Sequence, residues 1–356
     1  MKNGETSLIL ITKAEQMLVK ATTIQKAKEL KDLALTAKQW ATRKGLGKEI
    51  INHCHVYAIR AEIRMGELLI ATERAKGTDK GGRQYVDGHH PLPSNPPPTL
   101  AELHISKNES AQAQKLAEAP KEIKKKADAG EISHSRALQM VAKADREEAR
   151  HEAALKIEIT NPGIIVGDFR DHAEEIPDGS LNLIFTDPPY SRKDIDLLPG
   201  LAEFAAAKLA DGGSLLCYVG HLQLMAALEI FKEKLRFWWI ICCLHSGGNT
   251  LMREYGIYAG WKPILWFVKK TRDNPNIIVN DVISGGKEKD RHEWQQAEAE
   301  AEYWINKLCP EGGFVCDPFL GSGTTAIAAA KLGRKWMGFE IDTDTAKMAS
   351  KRISEL

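Results

Sequence analysis

From about residue 155 onward, short β-branched runs alternate with helical stretches, and this alternation constrains the fold more than any other feature. Strand candidates are 164–166, 183–186, 214–219, 237–243, 264–268, 314–316 and 336–339. Helical stretches fill 197–209, 222–232, 293–308, 324–332 and 345–353. A helix between two strands returns the chain to the same end of a sheet, so such strands pair in parallel. The pattern predicts an α/β domain over 155–356, with a mostly parallel seven-stranded sheet and helices on both faces.

The first 150 residues read as a separate helical domain. Residues 14–74 are rich in Ala, Leu, Lys and Glu, with apolar positions at helical spacing: Ile24, Ala27, Leu30 and Ala34, then Val56, Ile59, Ile63 and Leu68. They suit a helical hairpin used for packing or self-association. Residues 76–98 carry Gly77, Gly81, Gly82 and the proline-rich run from Pro91 to Pro98, which reads as a flexible loop. In 99–146, a short helix from Leu100, a turn capped by Ser106 and a further helix to Ala119 fit a helix-turn-helix, with 106–115 as its recognition helix. With the continuation from Pro120 through Gly130 to Leu138, this stretch resembles the central DNA-binding region of the ParB partition-protein family. A small helical bundle without a nucleic-acid role is the alternative. Residues 1–150 hold 26 Lys and Arg against 19 Asp and Glu, a mildly basic balance that favours a polyanion through counterion release.

The six cysteines form no Cys-x-x-Cys pair, and most lie in apolar runs, as expected for reduced, buried thiols in a cytoplasmic protein. His53-Cys54-His55 is a poor metal motif, since adjacent residues on a helix point apart and no second ligand pair follows. No apolar run reaches the roughly 18 residues needed to span a bilayer, and the start lacks the apolar core and cleavage site of a signal peptide. No membrane partner and no metal are expected.

Two motifs carry the chemistry. Asp187-Pro188-Pro189-Tyr190 follows Leu181-Asn182-Leu183-Ile184-Phe185-Thr186, a run apolar enough to be a buried central strand. The motif thus lies at the carboxyl end of a strand, where open α/β sheets bind ligands. Its two prolines stiffen the loop and remove two backbone donors, leaving the Pro188 carbonyl and the Asp187 carboxylate as acceptors. An exocyclic amine has two hydrogens to give. Accepting both draws the nitrogen lone pair out of conjugation and frees it to attack a methyl group. Tyr190 offers a face for an extruded base, and such stacking contributes about 1–3 kcal/mol per base.

The second motif is Asp317-Pro318-Phe319-Leu320-Gly321-Ser322-Gly323-Thr324-Thr325, between a short strand and a helix beginning near Thr324. Gly321 and Gly323 permit a tight turn and close approach of a ligand. The Lys-Ser or Lys-Thr of a P-loop and the third glycine of the dinucleotide fingerprint are missing from the sequence here. Asp317 suits a cationic ligand better than a pyrophosphate. Glu340 ends the next strand 19 residues after Gly321, where an acid can hold a ribose diol.

Together, these motifs, their flanks and their order resemble the amino-methyltransferases that modify adenine or cytosine in DNA, over about residues 160–356. The catalytic motif comes first, as in the permuted β group. The resemblance implies a Rossmann-like S-adenosylmethionine-dependent methyltransferase domain and double-stranded DNA as partner. It assigns Asp187, Pro188, Pro189 and Tyr190 to the target amine. It assigns Asp317, Pro318, Phe319, Gly321, Gly323, Thr324 and Glu340 to the cofactor S-adenosyl-L-methionine, with Asp168 of Val166-Gly167-Asp168 near its adenine. Residues 289–294 stand where the family closes the methionine end, but depart from its pattern. Asp rather than Ser at 187 favours N6 of adenine over N4 of cytosine. A ring-carbon cytosine enzyme would need a nucleophilic Cys, commonly after Pro, and the chain has no Pro-Cys dipeptide. A DNA-binding regulator with an inactive methyltransferase body is a further alternative. Residues 245–258, with Asn249, Arg253 and Tyr255, and 272–289 are candidate recognition elements. A homodimer is compatible with the sequence, and a cognate restriction enzyme is permitted but not implied.

Overall fold

A computed structural model of the chain describes residues 17–18, 20–72, 98–189, 194–245, 250–272, 277–285 and 298–356. The flexible loop expected at 76–98 lies almost wholly outside them, as do Tyr190, Asn249 and residues 289–294. The chain divides into two compact units, Met1–Ala149 and Arg150–Leu356.

In the first unit, α1 (Ile24–Arg43) and α2 (Lys48–Ala71) flank a turn in which Gly45 is left-handed. The apolar spacing does what it predicts: Ile24, Ala27, Leu30 and Ala34 are all buried. Ala27 and Leu30 share a core with Met65, Leu69, Leu103 and Ala113. Then come α3 (Lys107–Glu118), α4 (Lys121–Asp128) and α5 (His134–Ala154). Ser106 caps α3 as expected, its hydroxyl accepting from the Glu109 N–H at 3.1 Å. The short helix expected from Leu100 is instead a single turn. Leu103 N–H bonds to the Thr99 carbonyl at 3.1 Å, and His104 then turns left-handed at φ 53° and ends it. One turn fixes several dihedrals for little hydrogen bonding, so local propensity alone does not extend it. His55 on α2 sits between the Lys38 ammonium at 3.0 Å and the His134 backbone N–H at 3.3 Å.

The second unit contains β1 (Ile164–Val166), β2 (Leu181–Thr186), α6 (Leu198–Lys208), β3 (Leu209–Tyr218), α7 (Leu224–Lys232), β4 (Arg236–His245), β5 (Thr250–Met252), β6 (Ile257–Ala259), β7 (Trp261–Val268), β8 (Val282–Gly285), α8 (Glu298–Leu308), β9 (Phe314–Asp317), α9 (Thr324–Lys331), β10 (Lys335–Glu340) and α10 (Thr343–Ser354). The main sheet has the order β1-β10-β9-β2-β3-β7-β4-β8, and β5 and β6 form a separate two-stranded ribbon. All seven expected strands are present, with β8 as an eighth. Within the main sheet, among the described residues, only β7 runs antiparallel to its neighbours, pairing with β3 and β4.

Alternate residues of the central strands enter opposite cores. Leu215, Cys217, Leu265 and Phe267 face one side with α6 and α7. Leu216, Tyr218, Ile264 and Trp266 face the other with α8 and α9. This two-sided burial explains why the central strands read as continuous apolar runs. Trp304 of α8 is fully buried, edge-on to Trp266 with ring centroids 6.1 Å apart. Trp304→Ala is expected to cost about 3–5 kcal/mol through lost burial and the cavity left behind, read as a lower urea midpoint for the unfolding of this unit.

Candidate active site

The topology places the chemistry-bearing residues along one edge of the sheet. β1, β10, β9 and β2 are adjacent and mutually parallel, so their carboxyl ends lie side by side. Each delivers one carboxylate at or just beyond its end: Asp168 after β1, Glu340 on β10, Asp317 on β9 and Asp187 after β2. The antiparallel β7 begins where its parallel neighbours finish, and it brings Lys262 to the same edge. These residues open on one cleft of about 590 Å³.

The glycine loop and the Asp-Pro-Pro loop are stitched together at their bases. The Thr186 hydroxyl donates to Asp317 Oδ1 at 2.7 Å. Thr325 at the start of α9 donates to the Phe185 carbonyl at 3.3 Å. Asp317 also accepts from the Phe319 N–H at 3.1 Å, which turns the loop back on itself. Burial pushes the Asp317 carboxyl up to about 6, even though the hydroxyls of Thr186 and Thr325 favour its ionised form. A buried acid held this high invites a cation.

Glu340 ties the loop to the neighbouring strand. Its Oε2 accepts from the Gly321 N–H at 2.9 Å and its Oε1 from the Asp342 N–H at 2.9 Å. Burial raises this carboxyl as well. Gly321 has φ 52° and Gly323 φ 83°, left-handed values that favour glycine. A side chain at Gly323 would also crowd Ala349, with Cβ atoms 3.2 Å apart. Arg352 of α10 braces the loop, donating to the Ser322 carbonyl and to Glu298. Asp168 is paired with Arg170, at 2.9 Å from Nε, and this hydrogen bond holds its carboxyl below the usual range.

Of the residues singled out from sequence, Asp168, Asp187, Pro188, Pro189, Asp317, Pro318, Phe319, Gly321, Thr324 and Glu340 line the cleft. Gly323 does not; it is the N-cap of α9 and shapes the loop from behind. Tyr190 and residues 289–294 are outside the described residues.

The sequence reading missed Lys262. Its Nζ lies 2.9 Å and 2.8 Å from the two carboxylate oxygens of Asp187, and 4.6 Å from the centroid of the Tyr218 ring. Tyr218 is buried and donates its hydroxyl to Glu300 of α8, itself buried and raised by that burial. The available signal was a lone cation opening the apolar run Pro263-Ile264-Leu265-Trp266-Phe267-Val268. Leu197, Phe339 and Ile341 also line the cleft and had no distinguishing pattern, and Ser322 lines it from within the glycine motif.

Chemically, the cleft has an anionic wall of Asp168, Glu340 and Asp317, and beyond it a charge-paired acceptor, Asp187 with Lys262. Such a cleft can hold a cationic ligand bearing a diol beside a polar edge that offers hydrogens.

Residues 181–351 match a family model described as DNA methylase. The chain is 26% identical over 248 residues to DNA adenine methyltransferase YhdJ of Escherichia coli (strain K12), covering 53% of this chain and 82% of that protein. It is 32% identical over 81 residues to the type II methyltransferase M2.DpnII of Streptococcus pneumoniae, covering 21% of this chain and 30% of that protein. Among solved structures, the PvuII DNA methyltransferase (cytosine-N4-specific) aligns at a TM-score of 0.47 with 17% identity, over 54% of this chain and 89% of that one.

Proposed function

We propose, from the match of residues 181–351 to a family model described as DNA methylase and from the likeness to a DNA adenine methyltransferase, that this protein transfers a methyl group from S-adenosyl-L-methionine to N6 of adenine in double-stranded DNA. The observation that carries the reading is the single cleft shared by Asp187 and Asp317, which come from neighbouring parallel strands and are joined at the base through Thr186.

The residues present fit the cofactor. Asp317 is a buried carboxylate able to face the cationic amino-acid end, Glu340 offers carboxylate oxygens to a ribose diol, and Asp168, just beyond the outer strand β1, is available to an adenine. Pro318, Phe319, Gly321 and Thr324 supply the wall between them. When bound, the cofactor supplies an electrophilic methyl on a good leaving group. The protein's part is positioning and electrostatics. Asp187 and the Pro188 carbonyl accept the two amine hydrogens and orient the nitrogen lone pair toward the cofactor end of the cleft. Pro188 is buried and lacks an N–H, so its backbone offers no competing donor. Asp187 also faces the proton that the amine must lose after transfer. Tyr190 supplies the stacking face in this reading.

Asp at position 187 and the adenine activity named for YhdJ support adenine over cytosine. The β5–β6 ribbon, with Arg253, Tyr255 and Tyr258 exposed, is the proposed element for contacting DNA around the target. Lys107, Lys115, Lys121, Lys125 and Lys126 of the N-terminal unit are exposed and suit phosphate contacts. Methylation-sensitive long-read sequencing, with nucleoside analysis of DNA from an expressing host, tests the reading. The expected product is N6-methyladenine at one recurring sequence. N4-methylcytosine would overturn the choice of base, and unmodified DNA from cells holding folded protein would overturn the activity.

A further inference from the structure

Asp187 is not a solitary acceptor. The Lys262 ammonium bridges both of its carboxylate oxygens, at 2.9 Å and 2.8 Å, and lines the same cleft. The side chains of Lys262 and Asp187 are only 20% and 23% exposed. The lysine is fixed from two sides, by the carboxylate and by the face of the buried Tyr218 ring 4.6 Å away. Its backbone is fixed as well. Lys262 pairs with Cys243 on β4, and the next residue, Pro263, accepts from the Val219 N–H at 3.1 Å. A flexible side chain has thus been given one place to put its charge, beside the atom proposed to hold the target amine.

We propose that Lys262 selects the amine-bearing edge shared by adenine and cytosine over that of guanine and thymine, donating a hydrogen bond to the ring nitrogen next to the amine that Asp187 accepts. This inference rests on the methyltransferase reading above and deepens it. Adenine and cytosine share one edge pattern: an exocyclic amine on a carbon whose neighbouring ring nitrogen is a bare acceptor, N1 in adenine and N3 in cytosine. A carboxylate beside an ammonium is the complement of that edge, acceptor against donor and donor against acceptor. Three donors on the ammonium and about four lone-pair sites on the carboxylate exceed what their mutual pair uses, so the edge can join the pair without dismantling it. Guanine and thymine carry a carbonyl where the amine would lie and an N–H where the bare nitrogen would lie. In the same pose they set oxygen against carboxylate and N–H against ammonium, two repulsions in place of two bonds. Lys262 does not activate the amine, because a cation at the ring nitrogen withdraws electrons from it. Its contribution is to read the edge and hold it in register while Asp187 acts on the amine.

The test uses the full-length protein and a duplex containing the target site defined by sequencing. One duplex carries the natural base. The other carries its deaza analogue at the methylated position, 1-deazaadenine for adenine or 3-deazacytosine for cytosine, which keeps the amine and replaces the ring nitrogen with C–H. The wild-type enzyme is expected to lose about 10- to 100-fold in kcat/KM on the analogue, the scale of a hydrogen bond to a charged group. Lys262→Met is expected to be slow on the natural duplex and to lose no more than about twofold further on the analogue. Comparing the two losses cancels any change the analogue makes to the intrinsic reactivity of the amine. Equal sensitivity of the two proteins would overturn the proposal. So would a wild-type enzyme indifferent to the analogue, a result that stands even if K262M fails to fold. Should the wild type methylate neither duplex, the methyltransferase reading itself fails, and that outcome is distinct from both.

Discussion

Asp187→Ala is expected to reduce methyl transfer by at least about 10²–10³-fold in kcat, the scale seen when one preorganised electrostatic group is removed from an active site. S-adenosylmethionine should still bind, because the anionic wall on β1, β10 and β9 does not depend on Asp187. Single-turnover incorporation of labelled methyl, beside equilibrium binding of the cofactor, separates the two effects. If both are lost together, the substitution has damaged the fold and the role given to Asp187 is unsupported. The Lys262 pair gives a way to detect such damage. In D187A the ammonium keeps its sheltered place without its carboxylate, which is costly for a largely desolvated charge. The double variant D187A/K262M removes that cost. It should therefore melt at a higher temperature than D187A while remaining as inactive.

Asp317→Asn is expected to weaken cofactor binding by about 10²-fold, in line with the loss of one member of a desolvated charge contact. The amide is close in size to the carboxyl and can still accept from Thr186 and Phe319, so the loop should survive where Ala would leave both donors stranded. The pH dependence gives a sharper signature. Burial raises the Asp317 carboxyl from an ordinary 3.8 to about 6 in the folded protein. Folding therefore favours its protonated form. Its contribution to stability is present in full below about pH 4 and is lost as the pH rises through about 6. Binding of a cation has the opposite sign, because it favours the ionised form and lowers the pKa. Cofactor affinity should thus be level above pH 6 and should weaken, by at most about tenfold per unit, as the pH falls below it. Calorimetric titrations from pH 5 to 7.5 would show this slope in the wild type and its absence in D317N. A wild-type affinity flat across that range would remove Asp317 from contact with the positive charge.

Much of this site could be read from local sequence. The apolar run before Asp187 marks a buried strand whatever its neighbours are, and two prolines after it stiffen the loop wherever the strand lies. The left-handed φ values of Gly321 and Gly323 are likewise a local demand, met by the only residue without a Cβ. The position of Glu340 beside the glycine loop is legible because the spacing from loop to strand end is set by one helix and one short turn. Local reading failed where packing decides. The single turn at 99–104 looked helical because nothing nearby announces the left-handed His104 that ends it. The short strands of the β5–β6 ribbon and β8 at the edge of the sheet escaped because a few residues carry too little periodicity to stand out.

The sequence by itself determined which residues end strands, which loops can turn tightly and which side chains can accept hydrogens, because those properties depend on a residue and its nearest neighbours. Only the tertiary structure decided that β9 lies beside β2, so that Thr186 reaches Asp317 across 131 positions of chain, and that β7 runs antiparallel and brings Lys262 to Asp187. Strand order is chosen by the burial of two whole faces of a sheet. That is a sum over every strand and helix at once, and no single segment contains it.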